Sequence, residues 1–136
     1  MRKKYRLLEH TADVKIQVFG KTREELFRNA MLGMFTAADY ESEEAGEPIT
    51  REIKIESIDL QALLVDFLSQ LLYLCEANRE VYEAVSFSEL SEKHLIAKLA
   101  GKKLKEMGIQ IKGVTYHNLE VGQKEDGWEA VILFDI

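Results

Sequence analysis

The chain has 136 residues, 46% of them hydrophobic and 31% charged, with one proline and eight glycines. That is the composition of a single globular domain spanning 1–136, and it excludes a disordered tail or a multidomain assembly. The net charge of −6 argues against a protein whose main task is to neutralise a nucleic-acid backbone, which draws on clustered Lys and Arg.

A folded chain of this length has a radius of gyration of roughly 14 Å and buries about two thirds of its unfolded surface without needing disulfides. The basic start, Met1 to Arg6, is followed at once by Glu9, His10 and Asp13. No uninterrupted apolar run of a signal peptide follows, so export is not expected. Tyr5, Leu7 and Glu9 fall on one face of a first extended segment, Leu8 and His10 on the other. Val14, Ile16 and Val18 then alternate with Lys15 and Gln17 in a second. After Gly20, Thr22 with Glu25 three positions on forms a capping box. The helix it opens carries Leu26, Phe27, Ala30, Met31, Met34, Phe35 and Ala38 on one broad apolar face, a core stripe rather than a cofactor box.

Asp39, Glu41, Glu43, Glu44 and Glu47, beside Gly46 and Pro48, read as an exposed acidic loop and not as a metal cage. Ile49, Ile53 and Ile55 alternate with polar residues, as in a strand with one wet face. Asp59 can cap a second helix. Its apolar residues from Leu60 to Cys75 cover well over half its circumference, which makes it the more buried of the two. Gln61, Asp66, Ser69 and Gln70 interrupt this stretch, so it reads as too short and too polar to cross a bilayer, and no membrane is expected. Asp66 reads as a solvated helix carboxylate. The lone Cys75 reads as a buried thiol of a reducing, cytoplasmic protein.

Strands are expected over 81–87, 94–99, 109–121 and 128–136. Lys98, Lys102, Lys103 and Lys105, around Gly101, read as a solvated connection between strands, although such a patch also has the chemistry to touch RNA. The order β, β, α, β, α and then a run of strands predicts an α+β fold: a two-layer sandwich with two helices packed on one face of a mixed β-sheet. Phosphate loops, dinucleotide-binding glycine patterns, paired-cysteine zinc motifs and serine nucleophile elbows are missing from the sequence.

A few polar residues stand where apolar ones would be expected. From Glu129 to Ile136 both alternating rows are apolar, the pattern of a strand buried on both faces, and Asp135 continues the row of Val131 and Leu133. The free carboxylate expected at Ile136 places a second anion within one residue. Two close carboxylates share a proton or bind a cation, and a third acid, for which Asp13 is the candidate, favours the cation. Oxygen-only ligation suits Mg, Ca or Mn better than zinc. The plain alternative makes Asp13 a turn residue and Asp135 a frayed terminal one. His10 and His117 are strand histidines, a type more often hydrogen-bonded and structural than ligand or base. His94 reads as exposed. Lys112, before Gly113, places an ammonium where it can neutralise nearby acids.

Five segments in order then carry a family resemblance: Glu9-His10-Thr11-Ala12-Asp13, the helix start from Gly20 to Phe27, Leu63 to Leu68, Ile111-Lys112-Gly113-Val114-Thr115-Tyr116-His117, and Phe134-Asp135-Ile136. From about residue 5 to the last, the chain resembles archease. It departs from the family's pattern at Gly101-Lys102, where Gly-Glu is frequent, and at Gly113, where Ala is common. The resemblance implies an accessory protein rather than an enzyme. It implies an activator of an RtcB-type RNA ligase that promotes formation of the guanylylated ligase and its multiple turnover in tRNA splicing or RNA repair. RNA and GTP would then be met only indirectly, through the ligase. It further implies a divalent cation held by Asp13, Asp135 and Ile136, with Lys112 assigned less securely to the same corner. The alternatives are a chaperone or modulator of a tRNA-modifying methyltransferase and, from the residues themselves, a metal-dependent hydrolase with His10 or His117 as base.

Overall fold

The structure, a computed structural model, describes residues 4–8 and 13–136. The expectations placed on Glu9, His10, Thr11 and Ala12 lie outside the described residues. Strands β1 (Tyr5–Leu8) and β2 (Asp13–Gly20) precede helix α1 (Arg23–Ala37). Then come β3 (Tyr40–Ser42), β4 (Ile49–Glu56), helix α2 (Leu60–Asn78), β5 (Glu80–Leu90), β6 (His94–Met107), β7 (Gly113–Lys124) and β8 (Gly127–Asp135). Both helix starts form as their caps dictate: Thr22 Oγ1 accepts from the Glu25 N–H at 3.1 Å, and Asp59 Oδ1 from the Ala62 N–H at 2.7 Å.

The fold is α+β, and its layering differs from the expected single mixed sheet. Every strand pair is antiparallel. One sheet has the order β1-β2-β8-β7; in the other, β6 pairs with β3, β4 and β5. Each helix touches both sheets, α1 meeting β2 and β5, α2 meeting β7 and β5. This explains the burial around most of each helix. Gly33 of α1 faces Tyr5 and Ile16 of the first sheet, where an added Cβ would come within 3.1 Å of the tyrosine ring. Phe27, on the same helix, packs at 5.5 Å from the ring of Phe67 on α2 and 6.2 Å from that of Phe87 on β5. Each such side chain contributes roughly 1.5–3 kcal/mol by leaving water.

Three further expectations are corrected. The acidic stretch is not wholly a loop: buried Tyr40 anchors β3 against the carboxyl end of β6. The lysine cluster is not a connection, because β6 runs unbroken from His94 to Met107 and Gly101 lies within it, its missing side chain letting β5 approach. Helix α2 continues to Asn78, long and apolar enough by length and composition to cross a membrane, while Leu63, Leu64, Phe67, Leu68 and Leu71 are buried in the core. Cys75 is buried as expected, and burial pushes its thiol up to about 11.

Candidate metal centre

Strand β2 enters its sheet at Asp13, and β8 leaves it at Asp135. Their antiparallel register sets Asp13 directly opposite Asp135, followed by Val14 opposite Phe134 and Lys15 opposite Leu133. Directly opposed residues share a sheet face, so the two carboxylates project to the same side. It is the outer side: Val14, Ile16 and Val18 are buried inward, as are Ala130, Ile132 and Phe134. Local patterning excludes a slip of one residue, which would turn every buried side chain of β2 to the wrong face; the partner strand and the register among the remaining choices are set by the packing of the whole chain.

Strand β7 completes the corner. Gly113 is the register partner of Asp135 on its other side. The Lys112 N–H donates to the Asp135 main-chain oxygen at 2.7 Å, placing the main chain of Lys112 beside that of Asp135, with its side chain exposed. An added Cβ on Gly113 would meet nothing within 4 Å, so the space beside Asp135 is open on that side. Ile136, half-buried, packs against the core.

The environment of Asp135 differs from expectation. Its strand is not buried on both faces to its end: Leu133 is buried, but Asp135 is exposed. Desolvation is therefore not what makes this carboxylate unusual. The opposition of two like charges across one strand pair is unfavourable by itself and is relieved by a cation between them. Carboxylate oxygens are the donors that Mg, Ca and Mn accept. Among the described residues no group of three or more His, Cys, Asp or Glu gathers as a metal site.

His117 is not brought to this corner. Between Thr115, opposite Leu133, and Glu120, opposite Val131, β7 leaves the ladder for an excursion that carries Tyr116, His117 and Asn118 into solvent. The His117 N–H donates to Thr115 Oγ1 at 2.9 Å, and Asn118 takes a left-handed φ of 56°. Periodicity reads straight through this bulge; only Asn118, a residue that tolerates that conformation, hints at it. The excursion borders a hollow of about 470 Å³ with Lys15, Gln17 and Val131. Partial burial, and then the charges of Asp66 and Asp59, hold the Tyr116 hydroxyl above its usual range. His94 is not merely exposed, its Nδ1 lying 3.2 Å from Glu89 Oε2. Asp66 is likewise engaged, accepting from Ser57 Oγ at 2.6 Å.

Residues 5–136 match the model of a family described as the Archease protein family (MTH1598/TM1083). The chain is 42% identical over 142 residues to Protein archease of Methanosarcina barkeri, covering 98% of this chain and 97% of that one. It is 35% identical to Protein archease of Thermococcus gammatolerans, over 94% and 95% of the two chains. Among solved structures it is similar to the crystal structure of an archease from Thermotoga maritima described as a possible chaperone, with a TM-score of 0.71 and 21% identity over 100% and 98% of the chains. It is also similar to the solution structure of Methanobacterium thermoautotrophicum Protein 1598, with a TM-score of 0.69 and 24% identity over 98% and 99%.

Proposed function

The chain belongs to the archease family, and from that premise we propose that it is a metal-binding accessory protein that activates an RtcB-type RNA ligase, promoting guanylylation of the ligase and its repeated turnover in tRNA splicing or RNA repair. It works in the cytoplasm, a setting supported by its single buried thiol. The observation that carries the metal-binding part is the register that opposes Asp13 to Asp135.

These two carboxylates hold a divalent cation, Ca, Mg or Mn, with main-chain oxygen from Ile136 beside them. When bound, the cation supplies a point of positive charge able to orient phosphate oxygens. The chain's own contribution is rigidity: both acids sit on paired strands, and the Lys112 N–H fixes the main chain of Asp135 from the third. The Lys112 ammonium adds a cation of its own at that corner, suited to an anionic ligand.

The test is purified ligase, GTP and RNA with wild-type protein, Asp13→Ala or Asp135→Ala, each variant shown by circular dichroism to be folded. Both variants should lose stimulation of guanylylation by about tenfold or more, since loss of a group that merely supports a metal ligand already costs that much. Full stimulation by either folded variant refutes the role given to the metal. The chaperone role named as possible for the Thermotoga protein is separated by the same proteins: a chaperone would bind its partner equally well after chelation.

A further inference from the structure

The edges of the two sheets are not alike. In the first, β1 has four residues and β7 is broken by its excursion. In the second, β5 pairs with β6 through two register shifts. Short strands and bulges of this kind prevent edge-to-edge association. Strand β4 is different: eight residues pair with β6 in unbroken register, Ile49 with Gly101 through Glu56 with His94, and among the described residues β4 has no second strand partner.

The hydrogen-bond phase shows which of its groups face outward. The Ser57 N–H donates to the Lys93 carbonyl at 2.7 Å, continuing the ladder one pair beyond Glu56 and His94. Alternation along an antiparallel pair then directs the N–H and C=O of Arg51, Ile53 and Ile55 to β6, and those of Thr50, Glu52, Lys54 and Glu56 to the open edge. All four outward residues are exposed. Beside the strand, Lys54, Ile55 and Glu56 border a hollow of about 420 Å³ with Asp66, Ser69 and Gln70 of α2.

Among registers that overlap most of the strand, the charges on this edge are self-complementary in one. If two copies of β4 pair antiparallel about Ile53, Glu52 lies opposite the partner's Lys54, and Lys54 opposite the partner's Glu52. Thr50 then meets the partner's Glu56, and inward-facing residues meet inward-facing ones. Centring on Glu52 sets that residue against itself, and centring on Lys54 does the same to the lysine. Centring on Ile55 opposes Lys54 to the partner's Glu56 but leaves only the residues from Lys54 to Glu56 overlapping, and centring on Arg51 sets that arginine against itself and overlaps only Ile49 to Ile53. Opposite charges directly across a strand pair are favourable and like charges unfavourable.

We propose that β4 is a docking edge for a second copy of this chain, joining two sheets through antiparallel pairing centred on Ile53. Outward main-chain groups of Thr50, Glu52, Lys54 and Glu56 form about eight hydrogen bonds, and the two Glu52–Lys54 contacts select the register. The acid pair at Asp13 and Asp135 lies on the other sheet, so the dimer leaves the proposed metal centre untouched.

Sedimentation from about 10 μM to 1 mM should show a monomer–dimer equilibrium, weakened about tenfold or more by Lys54→Glu or Glu52→Lys alone and restored in the double charge swap. Hydrogen exchange reads the geometry. Amides of Thr50, Glu52, Lys54 and Glu56 should gain protection as concentration rises, while those of Arg51, Ile53 and Ile55 stay protected throughout. A protein monomeric over the whole range overturns the proposal. So does a dimer in which the four outward amides stay unprotected, or a double swap no better than the single reversals. Protection appearing only when another protein is added assigns the edge to a foreign strand and equally overturns it.

Discussion

Asp135 shows how a residue's meaning depends on what faces it. Exposed to solvent, it has no desolvation to explain, yet its cross-strand partner is another aspartate. Such opposition costs stability when no cation is present and reverses sign when one is. Asp135→Asn should therefore raise the unfolding midpoint in chelator by about 1–3 °C relative to wild type. Added Ca, Mg or Mn should raise the wild-type midpoint and leave that of the variant unchanged. Thermal melts with and without metal check both signs, and a variant that melts below wild type in chelator would show that Asp135 serves a structural contact instead.

At the scale of elements, backbone approach decides what a segment can be. Gly101 stands midway along β6, opposite Ile49 on β4 and Tyr82 on β5. A Cβ there would collide with the Val81 carbonyl, and this is backbone that cannot swing aside. Gly101→Ala should therefore cost about 1–3 kcal/mol, the usual size of an overpacking defect, seen as a lower urea midpoint with little change in slope. In sequence Gly101 sits among lysines and reads as a turn. In the structure those lysines ride on one continuous strand, because β4 and β5 both pair along it and satisfy its main chain.

For the molecule as a whole, the buried acid identified among the described residues makes stability depend on pH. Glu80, nearly buried, accepts from Arg51 Nε at 3.0 Å and Nη2 at 2.7 Å and from the Tyr82 hydroxyl at 2.8 Å, tying β4 to β5 across β6. Hydrogen bonding from Arg51 holds its carboxyl below the ordinary glutamate value, against the opposing effect of burial. A depressed acid contributes stability above its unfolded pKa, about 4.3, and loses it as pH falls through the lower folded value. Wild type should thus be progressively destabilised below about pH 4.3. Glu80→Gln should be less stable at neutral pH by about 1–3 kcal/mol and show a flatter acid limb. Urea midpoints between pH 2 and 7 measure both, and parallel profiles would remove Glu80 as the source.

Much of this protein is written in short-range pattern. The period of two in Val14, Ile16 and Val18, the period of 3.6 in both helices, and the caps at Thr22 and Asp59 depend on neighbours within a few residues, so the elements can be read directly. Asp135 was legible as a candidate for a related reason, because it continues the apolar row of Val131 and Leu133, whereas Asp13, whose row runs on through Lys15 and Gln17, was legible only as a further acid and through the family resemblance. Pairing is different, because it joins residues as far apart as Asp13 and Asp135, and many partners satisfy the same alternation. Only the tertiary structure placed those acids opposite one another, divided the strands between two sheets, bent β7 outward at Asn118, buried Glu80 against Arg51 and left one edge of β4 open. Periodicity specifies which face of a strand is buried; the strand beside it is chosen by the packing of the entire chain.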